Sequence, residues 1–353
     1  MTWDPVAPLR GRPPDVTLEE APAVASRFFG VEGSFSRLVS ERDKNFLVEE
    51  PDGTRFVLKI HNTADGPTLV EMQTQALLHI AAADPSIPIQ RVNPTLGGDP
   101  YVLLKRPDGS THIVRMLTYV PGKRVQAGDL SLRAIEGFGA SAAGVARALQ
   151  NFSHPGAQRP LLWDIKQGAA LRPLLVHIAD PERRDLADHW LSRFEEEVLP
   201  GWIGTLRTQV IHNDLTLDNV LFAEDGSVSG VVDFGDAVQT ALVCDLAMLL
   251  ASLIGDRADP FEVATAAIRG YHSVTRLGRD ELHVLADLIA MRAVANVAVS
   301  AWRTQLYPDN AAYISSWDAG SWVILQTFRE TGIHEVRRAF ATTAYPHRGQ
   351  GNP

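Results

Sequence analysis

Residues able to do chemistry are concentrated in one short region of the chain. Asp214 and Asn219 lie five positions apart in a polar segment with apolar flanks, and Asp233 follows in the triplet Asp-Phe-Gly. Carboxylate and carbonyl oxygens are the ligands that Mg²⁺ prefers. We therefore predict that Asn219 and Asp233 bind Mg²⁺ and that Asp214 faces a reacting hydroxyl group as a general base.

The spacing of these residues also matches that of a phosphoryl-transfer site. His212, Asp214 and Asn219 follow the pattern H-x-D-x-x-x-x-N of a kinase catalytic loop, which is followed in such enzymes by a metal-binding Asp-Phe-Gly. Asp, Asn and Gly are also frequent turn formers, so either motif alone would indicate only a turn. Their order, their hairpin spacing and their apolar flanks favour phosphoryl transfer.

The elements that must position these residues change in type along the chain. The first third is rich in strand patterns, and the turn Pro51-Asp52-Gly53 predicts a hairpin. Strands are predicted at 35–39, 45–49, 55–61, 101–104 and 111–120, and helices at 18–29 and 67–83. The first third is therefore predicted to be an antiparallel sheet with one helix inserted after its third strand.

The remainder is predicted to be mainly helical around a β-rich segment at 209–234. Helical patterns cover 130–151, 241–254, 261–271, 279–303 and 311–340. The small-residue run 139–144 would allow close helix packing. The predicted fold class is α+β, with a flexible arm at 1–15, a smaller β lobe at 16–119 and a larger helical lobe at 120–353. The last residues, 347–353, are predicted to be a frayed tail.

The composition limits the class of protein and its partners. A chain of 353 residues suits two folded lobes, and a net charge of −9 argues against nucleic acid as a partner. The single cysteine, Cys244, excludes an intrachain disulfide and indicates a reducing compartment. The apolar segments 241–254 and 283–302 are interrupted by charged residues, so they are interpreted as buried helices and not membrane spans. We expect a cytoplasmic protein.

Two motifs resemble those of a known family. The segment Val210-Ile211-His212-Asn213-Asp214-Leu215 and the later Asp233-Phe234-Gly235-Asp236 are similar to the aminoglycoside phosphotransferase family, the small-molecule branch of the protein-kinase-like fold. Within it, they resemble hydroxylysine kinases and the kinase domains fused to class III aminotransferases. The resemblance extends from about residue 18 to about residue 338. It implies a bilobal fold and transfer of a phosphate from ATP or GTP, with Mg²⁺, to a small molecule.

The resemblance implies a lysine on the third strand, held by a glutamate of the following helix. Lys59 in Phe-Val-Leu-Lys-Ile and Glu71 in the predicted helix meet this description. The alternatives are a solvent-facing strand lysine and a surface glutamate at the positive end of a helix. We expect Lys59 to contact the nucleotide phosphates and Glu71 to position it.

The loop between the first two strands departs from the glycine-rich phosphate loop of protein kinases. It contains no glycine, so its phosphate contacts are expected from backbone N–H groups or from the side chains of Ser40, Arg42 or Lys44. Arg42 and Lys44 are equally compatible with exposed turn residues. The hydroxylysine-kinase-like group has a similar polar loop.

The resemblance also implies a hinge at 116–122 and two supporting residues. Backbone groups near Thr118 and Val120 are expected to bind the nucleotide base, which leaves ATP and GTP as alternatives. The aspartate that matches Asp245 braces the backbone of the catalytic loop in the family, and His212 is interpreted as a second brace of that loop.

The acceptor is expected to lie beside Asp214 in the helical lobe. Acidic residues expected to face it are Asp236, Asp218 and Asp164, and Trp163 offers a cation–π face to an ammonium group. Each of them is also compatible with a cap or a surface position. Together they predict a small amine-bearing acceptor such as hydroxylysine or an amino alcohol. The alternatives are an aminoglycoside antibiotic as acceptor, or a nucleotide-binding pseudokinase without catalysis.

Overall fold

The computed structural model describes residues 13–40, 43–202, 205–257 and 259–345. The chain forms two compact units. The first contains the residues up to Pro121 together with His154–Arg159, and the second contains Gly122–Ser153 and the residues from Pro160 onward.

The first unit is an antiparallel sheet with two helices. Its helices are α1 (Ala21–Phe29) and α2 (Gly66–Ala83), and its strands are β1 (Ser34–Leu38), β2 (Lys44–Glu49), β3 (Arg55–Ile60), β4 (Val92–Asn93), β5 (Val102–Lys105) and β6 (Thr111–Thr118). The strand order is β1-β2-β3-β6-β4, and β5 also pairs with β6. The helix α2 follows the third strand, as predicted.

Alternation along the strands builds the core of this unit. Phe46, Val48, Leu58 and Ile60 alternate with less buried neighbours in β2 and β3, and they pack in one cluster with residues of α1. The helix α1 ends at Gly30, whose left-handed backbone (φ 67°) lets its N–H reach the Ser26 carbonyl. The tight β2–β3 turn has Gly53 at φ 86°.

The second unit is mainly helical, and its strands form two antiparallel pairs. Its helices are α3 (Leu132–Ala148), α4 (Pro181–Arg193), α5 (Leu199–Trp202), α6 (Val243–Leu253), α7 (Pro260–Val274), α8 (Arg279–Leu306), α9 (Ala311–Ile314), α10 (Asp318–Thr331) and α11 (Ile333–Ala344). Its strands are β7 (Thr208–Ile211), β8 (Val220–Phe222), β9 (Val228–Val231) and β10 (Val238–Ala241), and β7 pairs with β10 while β8 pairs with β9. The α+β prediction is confirmed.

Helices α3 and α7 pack at very short range through glycines. A Cβ atom at Gly139 would come far closer to the Ala267 carbonyl oxygen than side chains approach, and one at Gly270 would collide with the Glu136 carbonyl oxygen. The close packing predicted from the run 139–144 is therefore confirmed. The single helix predicted at 311–340 is wrong, because three helices occupy this segment. Residues 315–317 separate α9 from α10, and Gly332 (φ 82°) separates α10 from α11.

Helix α8 is the central helix of the second unit. It is long and apolar enough to cross a membrane by length and composition alone, but 83% of its apolar window is buried inside the protein. Its Asp287 is 2% exposed and pairs with Arg193 (2.8 Å) and Arg337 (2.8 Å). This pairing satisfies a charge that an apolar core would otherwise disfavour, so α8 is a core helix, as its sequence predicted.

Candidate active site

The loop between β7 and β8 is fixed by hydrogen bonds to Asp245 in the first turn of α6. The carboxylate of Asp245 is fully buried and accepts hydrogen bonds from the backbone N–H groups of His212 (3.2 Å) and Asn213 (2.7 Å). Burial raises the pKa of Asp245 to about 7, while the two backbone donors oppose this shift. Asp245 thus fixes the backbone immediately before Asp214.

His212 connects this loop with the one after β9. Its Nδ1 accepts a hydrogen bond from the Asp214 N–H (3.3 Å), and its Nε2 lies 3.0 Å from the Val232 carbonyl oxygen. This arrangement requires a neutral ring protonated on Nε2. Burial also lowers the pKa of His212. With both nitrogens engaged in backbone contacts, His212 positions the two loops and is not available as a base.

Asp214 presents its carboxylate between an amide and a guanidinium. Asn219 donates from Nδ2 to Oδ2 of Asp214 (2.6 Å) and to its carbonyl oxygen (3.0 Å), and Arg292 donates from Nη2 to Oδ1 (3.2 Å). Burial raises the pKa of Asp214, and nearby Asp233 and Asp218 act in the same direction, while Arg292 and Asn219 lower it. A half-buried carboxylate with a raised pKa is suited to receive a proton.

Backbone strain marks both loops. Among the described residues, the non-glycine positions with positive φ are Asn151, Asn213 (φ 64°) and Asp233 (φ 60°), and two of these three flank the site. Such conformations cost free energy and are typical of functional sites, where the surrounding structure holds them in place. Asp233 is exposed, and its Oδ1 accepts a hydrogen bond from the Gly235 N–H (3.1 Å).

The donor set of these loops fits a divalent cation. Because Asn219 uses Nδ2 for Asp214, its Oδ1 is directed elsewhere and is available as a ligand. The exposed Asp233 contributes a carboxylate. A carboxylate, an amide oxygen and water molecules make a donor set that suits Mg²⁺, so the two residues predicted as metal ligands are chemically compatible with that role.

In the first unit, the structure pairs Lys59 with a carboxylate that the sequence did not indicate. Lys59 Nζ lies 3.1 Å from Oδ2 of Asp43, whose Oδ1 accepts a hydrogen bond from the Asn62 N–H (2.9 Å). The strand register could have indicated this, because β2 opposite β3 pairs Asn45 with Lys59 and Lys44 with Ile60, so that Asp43 continues toward the same end.

The predicted pairing of Lys59 with Glu71 is wrong in this structure. Glu71 is exposed and forms no ion pair with any residue in the described ranges. The reason is the rotation of α2, whose inner face presents Gln73 and Thr74 instead. Both accept hydrogen bonds from the buried Arg115 guanidinium, at 2.7 and 3.0 Å.

The predicted phosphate loop is described only in part. Ser40 Oγ accepts a hydrogen bond from the Asp43 N–H (3.2 Å), Lys44 is the first residue of β2, and Arg42 lies outside the described residues. Ser40 thus contacts the backbone of Asp43, the residue that pairs with Lys59. Phosphate contacts of these side chains stay a prediction.

The two predicted hinge residues differ in their backbone contacts. Thr118 donates its N–H to the Arg91 carbonyl oxygen (2.8 Å), and its Oγ1 accepts from the Arg91 N–H (2.8 Å). The buried Val120 has no backbone hydrogen bond to any residue that the structure describes. The Thr118 N–H is therefore already in use within the first unit, and binding of a nucleotide base by backbone groups near Thr118 and Val120 stays a prediction.

Asp164 was wrongly predicted to face the acceptor. It is fully buried, and its Oδ1 accepts hydrogen bonds from Thr240 Oγ1 (2.8 Å) and the Lys166 N–H (3.1 Å). It caps the 3₁₀ segment that begins at Ile165. Burial raises the pKa of Asp164, with Lys166 opposing. Its role is structural.

Trp163 meets a cation, but that cation belongs to the protein. The Arg292 guanidinium carbon lies 4.9 Å from the centroid of the Trp163 ring, so the predicted contact between this ring and an acceptor ammonium group is replaced by Arg292. Sequence reasoning noted Arg292 only as an interruption of an apolar segment. A charged residue within the apolar segment 283–302 was the available signal, but Asp287, which forms a structural ion pair, carries the same signal.

The two remaining acceptor candidates lie in the loops. Asp218 is exposed, and its Oδ2 accepts a hydrogen bond from Trp317 Nε1 (3.1 Å) while its carbonyl oxygen accepts one from Arg124 Nε (2.8 Å). Asp236 is half-buried and ends the 3₁₀ turn Phe234–Asp236. Asp214, Asn219, Asp218 and Arg292 therefore belong to one group of contacting or neighbouring side chains.

Comparison with known proteins identifies the class of this site. Residues 35–288 match the model of the Phosphotransferase enzyme family, APH, and the chain belongs to that family. It is a kinase that acts on a hydroxyl group of a small molecule, as the motif resemblance implied.

The chain is also similar to individual proteins and solved structures. The chain is 28% identical to a hydroxylysine kinase of Mus musculus over 356 residues, which cover 94% of each protein. Among solved structures, an amicoumacin kinase in complex with AMP-PNP, Ca²⁺ and Ami has a TM-score of 0.69 at 14% identity, covering 90% of this chain and 95% of that one. A microcompartment-associated aminopropanol kinase has a TM-score of 0.64 at 20% identity, covering 89% and 98%. The two structural likenesses establish the fold.

Proposed function

We propose that the protein transfers the γ-phosphate of ATP or GTP to the hydroxyl group of a small amine-bearing acceptor, with 5-hydroxylysine as the first acceptor to test. The proposal rests mainly on the similarity to a hydroxylysine kinase, which covers 94% of both chains. The kinase chemistry itself is supported by the placement of Asp214 between Asn219 and Arg292.

In this proposal, Asp214 orients the acceptor hydroxyl and takes its proton as the phosphoryl group is transferred. Asn219 and Asp233 would hold Mg²⁺, which neutralises charge on the phosphates. Lys59, fixed by Asp43 within the first unit, would contact the nucleotide phosphates. The protein contributes mainly positioning and electrostatic stabilisation, because phosphoryl transfer needs little covalent chemistry from the enzyme.

Acidic residues near Asp214 suit an acceptor with an amine. Asp218 and Asp236 are incompletely buried and lie in the same two loops as Asp214 and Asp233. Their negative charge would favour an ammonium group close to the reacting hydroxyl. This supports an amino-alcohol unit, in which the amine and the hydroxyl are near neighbours.

The test is an acceptor screen with the purified protein, Mg²⁺ and either ATP or GTP, in which nucleotide consumption and phosphorylated product are both measured. We expect turnover with 5-hydroxylysine or a related amino alcohol, and a strongly reduced turnover for Asp214→Asn. Phosphorylation of kanamycin in place of these acceptors would support the antibiotic alternative. Nucleotide binding without product from any acceptor would support a pseudokinase and refute the proposal.

A further inference from the structure

A buried arginine beside the catalytic carboxylate has an unused donor. Arg292 is 9% exposed, and its Nη2 donates to Asp214 at 3.2 Å while the ring of Trp163 covers a face of the guanidinium. Its Nη1 is buried and has no hydrogen-bond partner among the residues that the structure describes. A buried N–H group without a partner costs free energy, so this donor is expected to be satisfied by a ligand.

The chemistry of the guanidinium selects the ligand. Arginine donates its hydrogen bonds in the plane of a rigid fork, and this geometry matches an oxyanion such as a carboxylate. Trp163 covers one face of the group and Asp214 occupies Nη2, so a ligand that accepts a hydrogen bond from Nη1 must do so within the plane of the guanidinium. An anion bound there would lie next to the hydroxyl that Asp214 orients.

The same face of α8 continues as a polar row. Arg292, Asn296 and Ser300 recur every four residues and therefore lie along one side of the helix. Within 291–300, Asn296 is the most exposed residue, with an intermediate burial between its buried neighbours. Asn296 Nδ2 donates to Ser321 Oγ (3.1 Å), so the middle of the row is satisfied within the protein and the unpartnered polar atoms lie at its two ends.

The row ends at a carboxylate. Ser300 Oγ donates to Oδ2 of Asp318 (2.8 Å), while Oδ1 of Asp318 is buried without a partner among the described residues. The preceding residue, Trp317, donates a hydrogen bond from Nε1 to Oδ2 of Asp218 in the catalytic loop. Eight residues of helix correspond to about 12 Å, so a cationic and an anionic side chain stand at opposite ends of a row of that length.

We propose that Arg292 binds the carboxylate of the acceptor, which makes the acceptor a hydroxy amino acid with a free carboxylate and not a simple amino alcohol or an aminoglycoside. The inference rests on the proposed function and adds its specificity-determining residue. It differs from a role in contacting the transferred phosphate, because a phosphate contact would be needed equally for every acceptor.

The test compares 5-hydroxylysine with its primary amide, which keeps the hydroxyl and both amines but lacks the carboxylate. For the wild-type protein we expect kcat/KM for the acid to exceed that for the amide by roughly 30- to 100-fold, the size of a charge-assisted interaction. In Arg292→Gln this ratio should fall to about 1–3, mainly through KM for the acid, whatever loss through Asp214 the two acceptors share.

Further variants separate the possible causes. Arg292→Lys keeps the charge but not the fork and should give an intermediate ratio. Arg269→Gln removes an arginine from an exposed pair with Glu136 and should leave the ratio unchanged. If Arg292→Gln does not fold, the wild-type comparison of acid and amide still tests whether the protein recognises the acceptor carboxylate.

Two results would overturn the inference while the proposed function stands. One is wild-type protein that phosphorylates the acid and the amide equally well. The other is Arg292→Gln that slows both acceptors by the same factor, which would assign Arg292 to Asp214 or to the phosphate. Turnover of neither acceptor would instead reject the proposed function, and the inference with it.

Discussion

Arg292 Nη2 lies 3.2 Å from Oδ1 of Asp214, so the carboxylate expected to receive a proton is paired with an arginine of α8. Its other oxygen accepts from Asn219 at 2.6 Å. Burial raises the pKa of Asp214 while Arg292 lowers it. The two contacts fix the orientation of a half-buried carboxylate that is available as a base. A turn-forming aspartate in an exposed loop would not have a fixed orientation.

Replacing Asp214 by Asn should remove the base and keep the shape of the side chain. We expect kcat to fall by roughly 10²- to 10⁴-fold, the usual contribution of a general base, with a small change in nucleotide affinity. Steady-state kinetics and binding of a fluorescent nucleotide measure the two quantities. Asp225→Asn, in an exposed turn with Ser227, is the matched control and should retain the wild-type rate. A wild-type kcat for Asp214→Asn would contradict the assignment.

Replacing Asp233 by Asn should weaken metal binding without changing the backbone, since Asn tolerates the positive φ of this position. Loss of a carboxylate ligand should raise the Mg²⁺ concentration for half-maximal rate by about tenfold or more. The Mg²⁺ dependence of both turnover and nucleotide binding gives the result. An unchanged Mg²⁺ dependence in both measurements would exclude Asp233 as a ligand.

The ion pair of Lys59 with Asp43 predicts which carboxylate matters for the nucleotide. Asp43→Asn should raise KM for the nucleotide by about tenfold, because Lys59 loses a partner at 3.1 Å in a site that is largely shielded from water. Glu71→Gln, on the exposed face of α2, should stay within about threefold of the wild type, as surface charges contribute little. The opposite order of effects would restore Glu71 as the positioning residue.

Local patterns predicted much of the fold because they depend on neighbouring residues. The β2–β3 hairpin, the place of α2 after the third strand and the close packing near Gly139 all follow from turn residues, alternation or small side chains. The catalytic loop was recognisable for the same reason, since Asp214 and Asn219 lie within one short segment.

The parts that sequence reasoning missed depend on distant residues or on the rotation of a helix. Arg292 is 78 positions from Asp214, and nothing in the local pattern of α8 indicates its partner. Glu71 was expected to position Lys59, yet tertiary packing turns Gln73 and Thr74 of α2 inward instead. Asp164 caps a 3₁₀ segment that begins at Ile165, and the sequence pattern did not predict that segment.

The contact between α3 and α7 predicts opposite effects of the same substitution at two positions. Gly139→Ala would force a methyl group against the Ala267 carbonyl oxygen and should lower the free energy of unfolding by about 2–3 kcal/mol. Gly144→Ala, where a Cβ meets nothing within 4 Å, should raise it by roughly 0.5–1 kcal/mol through helix propensity. Urea unfolding measures both, and equal effects at the two glycines would contradict the packing.

Asp318 predicts a pH-dependent stability. Burial raises its pKa from 3.8 to about 6, with Ser300 and Arg183 opposing. Between these values the folded state keeps a proton that the unfolded state releases, so this residue's contribution to stability is fully present below about pH 4 and is lost as the pH rises through 6. Asp318→Asn should therefore raise the free energy of unfolding at pH 7.5 by roughly 1–2 kcal/mol, less than the full shift implies because solvent screens this partly exposed group, and change it little at pH 4. The exposed Asp309→Asn serves as control.

The same substitution separates a structural from an acceptor-binding role of Asp318. If this carboxylate binds the acceptor ammonium, Asp318→Asn should raise KM for 5-hydroxylysine by about tenfold at pH 7.5, and the wild-type KM should rise as the pH falls through 6 and Asp318 takes up its proton. Greater stability together with weaker acceptor binding is the trade-off expected of a charge retained for function. Greater stability with an unchanged KM would limit Asp318 to its structural contact with Ser300 and confine acceptor recognition to the Arg292 end of the row.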